Sequence, residues 1–239
     1  MFPTCRVREG HFHKPNTVSR IGGPTCASNG AVTEPASEAS RSAQAQSVED
    51  FDASYQGTPP WDIGRPQPVF VGLVDAGHLR GRVLDAGCGT GEHVLLAAER
   101  GFQATGVDAA PRAIAAAERK AGERGVVARF MVWDALRLDE LGERFETVLD
   151  SGLFHVFEDD ARARYVEALA AVVAPGGRLL LCCFSDRQPG DWGPRRVSQD
   201  DIRDAFAGPW RVESIEPAQF VTNLDPPFAE AWLSTIVRR

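Results

Sequence analysis

The residues best suited to chemistry lie in one run, VLDAGCGTGEH (residues 83–93). Asp85 closes a short apolar stretch, and Gly87, Gly89 and Gly91 follow at alternate positions before a helical pattern begins. Glycines at such a strand-to-helix turn let the backbone take conformations closed to other residues and approach a ligand with no side chain between. The spacing is D-x-G-x-G-x-G, not the G-x-G-x-x-G that aims a helix N-terminus at a pyrophosphate. Two more acids repeat the placement. Asp108, in TGVDAAP, ends a second apolar run with Ala109 beside it, and Asp134, in VWDAL, ends a third beside Ala135. The run LDSGLFH (149–155) ends a fourth and brings Ser151, Phe154 and His155. His155 is the one histidine at the carboxyl end of a core strand, suited either to taking or orienting a proton or to hydrogen-bonding in a pocket wall. Taken singly, Asp85 or Asp134 reads equally well as a solvated strand end or a helix cap.

These residues need a frame that brings them together. From Arg82 the chain alternates short apolar runs with helical patterns, the signature of a parallel sheet covered on both faces. Strands are expected over 82–87, 103–108, 128–134, 145–152 and 178–185, the last nearly all apolar, as a central strand should be. Helices are expected over 91–101, 111–125 and 159–174, the second opened by Pro111 and the first closed by Gly101. Ser198 with Asp201 three residues on predicts an acidic capping box at the start of a further helix. The runs WRVESIEP and EAWLSTIVRR predict a final antiparallel pair. In a parallel sheet, ligands sit at the carboxyl ends of the strands near the switch in strand order, so all four acidic or LDSGLFH segments converge on one crevice.

Composition narrows the ligand. The chain has 239 residues and a formal charge of -7. Residues 1–47 carry a small basic excess, so the remainder is more acidic still and lacks the basic face that phosphate contacts need; nucleic acid is excluded as a partner and a small acceptor molecule is favoured. No apolar run approaches the ~20 residues of a membrane span, and a soluble, cytoplasmic protein is expected, a monomer or homodimer. Five cysteines (Cys5, Cys26, Cys88, Cys182, Cys183) have neither metal-site spacing nor disulfide density. Cys88 reads as small filler without reactivity, and Cys182 and Cys183, neighbours on an apolar strand, as core filler facing opposite sides. Residues 1–47 are polar, without apolar periodicity, and read as a disordered extension in which His11 and His13 are not assigned to a metal.

The D-x-G-x-G-x-G turn, with Asp108 and Asp134 in order behind it, resembles the first-turn pattern of class I S-adenosylmethionine-dependent methyltransferases from about residue 55 to the end. The resemblance implies an α/β three-layer sandwich with a Rossmann-like, mostly parallel seven-stranded sheet and a C-terminal antiparallel strand pair, a methyltransferase domain over 48–239, and S-adenosyl-L-methionine as cofactor. It also implies roles. Asp85, Gly87, Gly89 and Gly91 form the cofactor turn, and Asp108 with Ala109 accepts the ribose hydroxyls. Asp134 with Ala135 reads the adenine amino group, and Ser151 lies beside the transferable methyl.

The stretch PPWDIGRPQP (59–68) selects a branch. It resembles the PWDxGRxxP stretch of plant halide and thiol methyltransferases, related to thiopurine methyltransferases, and LDSGLFH and FSD are similar to mycobacterial heterocyclic toxin (quinolone) methyltransferases. By that resemblance Trp61, in an N-terminal lid over 48–80, closes over the cofactor; as a plain linker it would only staple this segment to the core. Phe51 and Tyr55 stand where the halide and thiol enzymes carry paired tryptophans, either lining the acceptor pocket or packing under the lid. Phe154, His155 and, from the loop after the fifth strand, Trp192 complete the expected acceptor pocket for a hydroxyquinoline-like heterocycle. Rival readings are a thiol or halide methyltransferase, an NAD(P)-binding oxidoreductase disfavoured by the glycine spacing, and a cofactor-binding protein without turnover.

Overall fold

The computed structural model of the chain describes residues 47–239, so the readings of the extension before Ser47, of His11 and His13, and of Cys5 and Cys26 lie outside the described residues. The strands β1 (Val83–Ala86), β2 (Ala104–Asp108), β3 (Arg129–Val132), β4 (Phe145–Ser151), β5 (Val173–Phe184), β6 (Trp210–Val221) and β7 (Phe228–Arg238) form one sheet in the order β3-β2-β1-β4-β5-β7-β6. From β3 to β5 the pairings are parallel, and β7 pairs antiparallel with both β5 and β6. The chain leaves β1 toward β3 and then returns to place β4 on β1's other side. That reversal opens a crevice at the carboxyl ends of β1 and β4.

Helices α1 (Val48–Ser54), α2 (Pro68–Asp75), α3 (Glu92–Glu99), α4 (Pro111–Arg124), α5 (Asp159–Val172) and α6 (Gln199–Ala205) accompany the sheet. Alternation along each strand sorts the buried side chains between two faces. Leu84, Ala86, Val148, Leu179, Leu181 and Cys183 pack with Tyr165, Val166 and Leu169 of α5 and Ile202 of α6. Val83, Leu149, Leu180, Cys182 and Phe184 pack with Phe70 and Val74 of α2, Val94 and Ala97 of α3 and Ile114 of α4. The result is the three-layer sandwich that the sequence implied. Cys182 and Cys183 fall on opposite faces, both fully buried, and burial pushes the Cys182 thiol up to about 12, so neither acts as a thiolate.

Local chemistry sets most element ends. Pro111 opens α4 and Gly125, left-handed at φ 65°, closes it. The Ser198 hydroxyl accepts from Asp201 N at 3.0 Å while the Asp201 carboxylate takes Ser198 N at 2.7 Å, the expected capping box. Ser47 and Asp50 build the same box at α1, a start that the polar composition around it conceals. Three departures from the expected bounds have a clear local cause. The third strand shortens to Arg129–Val132, because Trp133 and Asp134 already turn toward a 3-10 helix at Ala135–Leu141. The helix before PGG ends at Val172, because Val173 already pairs beside Phe145 and the strand then bulges through a left-handed Gly176 before regular pairing resumes at Arg178. Strand β6 runs on through Pro217 to Val221; it is an edge strand, so the missing N–H of proline breaks no second ladder. No helix of the described residues is long and apolar enough to cross a membrane.

Candidate functional site

Every glycine of the turn is left-handed: Gly87 at φ 72°, Gly89 at 52° and Gly91 at 84°. Gly91 is also sterically required, since a Cβ there would stand 2.8 Å from Ala117 Cβ and 2.8 Å from the Phe130 ring. The turn is pinned to β2 by Gly87 N and Cys88 N, both donating to Val107 O at 2.9 Å. Cys88 fills the space above Gly106, where a Cβ would lie 2.8 Å from its sulfur; burial, with Asp108 and Asp85 nearby, pushes its thiol well above the ordinary range.

Two carboxylates meet at this turn. Asp85 is fully buried and, among the described residues, neither of its oxygens has a hydrogen-bond partner; the imidazole of His93 stands 3.6 Å away through Nδ1. Asp108 accepts Gly89 N and Ala110 N, each at 2.8 Å. Burial pushes the Asp108 carboxyl up, against those two N–H donors, and the charge of Asp85 adds to the rise. A buried carboxylate left without donors, beside a second one at the same turn, repels a pyrophosphate and suits a cationic ligand that carries no phosphate. Asp134 is exposed and caps the 3-10 helix through Leu136 N at 2.9 Å, with Ala135 buried behind it. Ala109 and Ser151 are half-buried at the ends of β2 and β4.

The N-terminal segment lies over the turn. The Tyr55 hydroxyl stands 3.0 Å from the place a Cβ on Gly89 would occupy, and it accepts from Trp61 Nε1 at 3.0 Å. Trp61 meets Phe51 and Tyr55 edge to face at centroid separations of 5.9 and 6.3 Å. Polar ties hold the segment down. Asp52 pairs with Arg112 of α4, the Thr90 hydroxyl donates to the Asp62 carboxylate at 3.0 Å, and Asn223 reaches Pro60 O and Asp62 O at 2.8 and 2.7 Å.

On the other side of LDSGLFH the expected acceptor residues part company. His155 is 5% exposed, and its Nδ1 accepts Phe184 N at 2.9 Å. Burial, then the charges of Arg162 and Arg196, pushes its pKa down to about 3, so the ring is neutral with its proton on Nε2. It packs edge to face on Phe184 at 4.9 Å and tilted on Phe220 at 6.1 Å, and Trp192 closes on Phe184 at 5.9 Å. Arg196 fixes that loop by donating to the carbonyls of Gln188, Gly190, Trp192 and Pro194, while Arg195 pairs with Asp159. Phe154, expected in the acceptor pocket, is instead fully buried on the α5 face, stacked on Phe206 at 5.5 Å. The reason is Asp150: its carboxylate takes the amides of Leu153 and Phe154 and the Tyr165 hydroxyl, winding Phe154–Val156 into a 3-10 turn that sends Phe154 inward and leaves His155 with Phe184, Trp192 and Phe220. Phe184 and Phe220 were not among the expected acceptor residues, although Phe184 heads the FSD run. Phe184 had a signal, since it ends a core strand, whereas Phe220 sits in a stretch with no motif.

Residues 83–177 match the family model described as a methyltransferase domain. Over 186 residues the chain is 38% identical to a 2-heptyl-1-hydroxyquinolin-4(1H)-one methyltransferase of Mycobacteroides abscessus, a match that covers 73% of this chain and 82% of that protein. The chain belongs to the S-adenosylmethionine-dependent methyltransferases. This methyltransferase also matches a solved structure from work on the conversion of a disulfide bond into a thioacetal group during echinomycin biosynthesis, at TM-score 0.73 and 40% identity, covering 80% of this chain and 93% of that one. A probable thiol methyltransferase of Arabidopsis thaliana is 31% identical over 147 residues, or 59% of this chain and 64% of that protein. The enzyme therefore uses S-adenosylmethionine, acts on a small-molecule acceptor, and has at its glycine turn a buried acid, without a hydrogen-bond partner among the described residues, that fits a cationic, phosphate-free cofactor.

Proposed function

We propose that the enzyme methylates an N, O or S atom of a flat aromatic heterocycle of hydroxyquinoline or quinolone type. The observation that carries this reading is the ring cluster His155, Phe184, Trp192 and Phe220 at the carboxyl ends of β5 and β6, a set of faces and edges suited to a planar aromatic guest. The quinolone named for the Mycobacteroides relative supports it.

In this reading Asp85, Gly87, Gly89 and Gly91 hold the cofactor's amino acid end, and Asp108 with Ala109 its ribose. Asp134 with Ala135 meets the adenine, and Ser151 lies near the reacting centre. Trp61 and Tyr55 form the lid, and Tyr55, His155 and Trp192 face the acceptor. When bound, S-adenosylmethionine supplies a methyl group already activated by positively charged sulfur. What the chain adds is alignment of the acceptor atom in line with that methyl and exclusion of water by the strap that carries Tyr55 and Trp61. His155, neutral and with Nδ1 engaged, is a poor base; the proton on Nε2 makes it a donor that orients an acceptor oxygen. The acceptor thus loses its proton to solvent, or arrives ionised.

The test is incubation with methyl-labelled S-adenosylmethionine and a panel of hydroxyquinolines, quinolones, phenols, thiols and halides, with mass spectrometry of the products. Label in the heterocycles is expected. Label confined to thiol or halide products overturns the heterocycle reading in favour of the thiol enzyme that the Arabidopsis relative represents.

A further inference from the structure

Gln67 and His93 have no role in the reading above, yet they join its two halves. Gln67 is 2% exposed and precedes α2 without capping it. Its side-chain amide instead accepts Val221 N and donates to Val221 O, both at 2.9 Å, closing a pair of strand-like bonds on the end of β6, one residue past Phe220 of the ring cluster. Its main-chain N–H donates to His93 Nε2 at 3.1 Å. That bond settles the tautomer: an Nε2 that accepts carries no proton, so a neutral His93 bears its hydrogen on Nδ1. Nδ1 stands 3.6 Å from Asp85 Oδ2, longer than a hydrogen bond but well within electrostatic reach, and among the described residues it is the polar group set against that otherwise unpartnered carboxylate. The ring is held in this orientation by Phe70 at a centroid distance of 4.7 Å.

We propose that His93 is a positioning residue with two arms, Nδ1 steadying the Asp85 carboxylate toward the cofactor and Nε2 fixing the strap, through Gln67, to the acceptor side at Val221. The imidazole suits this because its two nitrogens point in divergent directions from one rigid ring, donating on one side and accepting on the other. The geometry puts the glycine turn and the end of β6 in register through two residues, His93 and Gln67. This inference rests on reading Asp85 as part of the cofactor site and is independent of the acceptor's identity.

Two substitutions separate the arms. His93→Asn places an amide near the Nδ1 position and does not reach Gln67, whereas His93→Gln extends to the Nε2 position. The readouts, made on the full chain without acceptor, are calorimetric affinity for S-adenosylmethionine and amide hydrogen exchange of residues 66–72 and 219–223. For His93→Asn the expected result is affinity within about threefold of wild type with exchange of both segments about tenfold faster; for His93→Gln it is protected segments with affinity about tenfold weaker; His93→Ala shows both losses. If all three variants merely lower Tm, with the affinity of the folded protein and the exchange of both segments unchanged, His93 is packing only and the proposal is overturned. Asn and Gln variants that are indistinguishable in the two readouts also overturn it. Failure of wild type to bind S-adenosylmethionine would overturn the cofactor reading itself, and this inference with it.

Discussion

Replacing Trp61 with Ala removes the bond from Nε1 to Tyr55 and both edge-to-face ring contacts while leaving α2 and its buried Phe70 and Val74 in place. The hydrogen bond contributes about 1 kcal/mol, and each ring pair about 0.5–1 kcal/mol. The closed strap therefore loses about 2–3 kcal/mol, which converts to a shift of roughly 30- to 150-fold in its closing equilibrium. Cofactor affinity falls by at most that factor when the closed strap is the binding-competent form, because apparent affinity scales with the competent fraction. Calorimetric titration with S-adenosylmethionine should show a Kd at least tenfold weaker. Thermal unfolding should show Tm lower by about 4–12 °C, since a domain of this size moves about 2–4 °C per kcal/mol. Trp61→Phe, which keeps a ring and loses the N–H, should fall between. A large drop in Tm with unchanged affinity would refute the lid and leave Trp61 as a staple between linker and core.

Two further outcomes follow from glycine geometry and from buried charge. Gly91→Ala adds a Cβ at φ 84° and 2.8 Å from two neighbours; urea unfolding should show a loss of about 2–5 kcal/mol, whereas Gly122→Ala, inside α4 with open space around it, should raise stability by about 0.4–1 kcal/mol. Between pH 4 and 6.5 two buried groups oppose each other. His155, pushed from 6.5 down to about 3, leaves the unfolded chain holding a proton that the folded chain lacks, so its contribution to stability is lost as pH falls. Burial pushes Asp150 from 3.8 up to about 7, so there the folded chain holds the extra proton and stability is lost as pH rises. Each changes stability by about 1.4 kcal/mol per pH unit, and the two cancel in wild type. Asp150→Asn should unmask the His155 slope, with denaturant midpoints rising from pH 4 to 6.5; a flat profile in that variant would refute the assignment.

The parallel sheet was legible because its strands are apolar runs ending in acids and its helices carry local stop signals such as Pro111, Gly125 and the Ser198–Asp201 box. The candidate cofactor side was legible for the same reason, as one contiguous motif supplies the turn and three strand ends supply the other proposed contacts. The acceptor side was not. Phe220 reaches the ring cluster from a distant edge strand, and the inward turn of Phe154 depends on a buried carboxylate, Asp150, whose partners Leu153, Phe154 and Tyr165 no periodicity reveals. Gln67 looked like one more residue of a proline-rich linker, and only its bonds to Val221 and His93 show that it ties the two sides together.

The proposed reaction carries the methyl of S-adenosylmethionine to a planar heterocycle held among aromatic rings in this crevice. Its most direct measurement is the ratio of kcat/KM for a hydroxyquinolone to that for a small thiol, taken in one competition with labelled S-adenosylmethionine for wild type and for Phe220→Ala. A ratio well above 10 is expected for wild type, falling at least fivefold in the variant, with cofactor affinity unchanged. A ratio below 1, or one that Phe220→Ala leaves untouched, would contradict it.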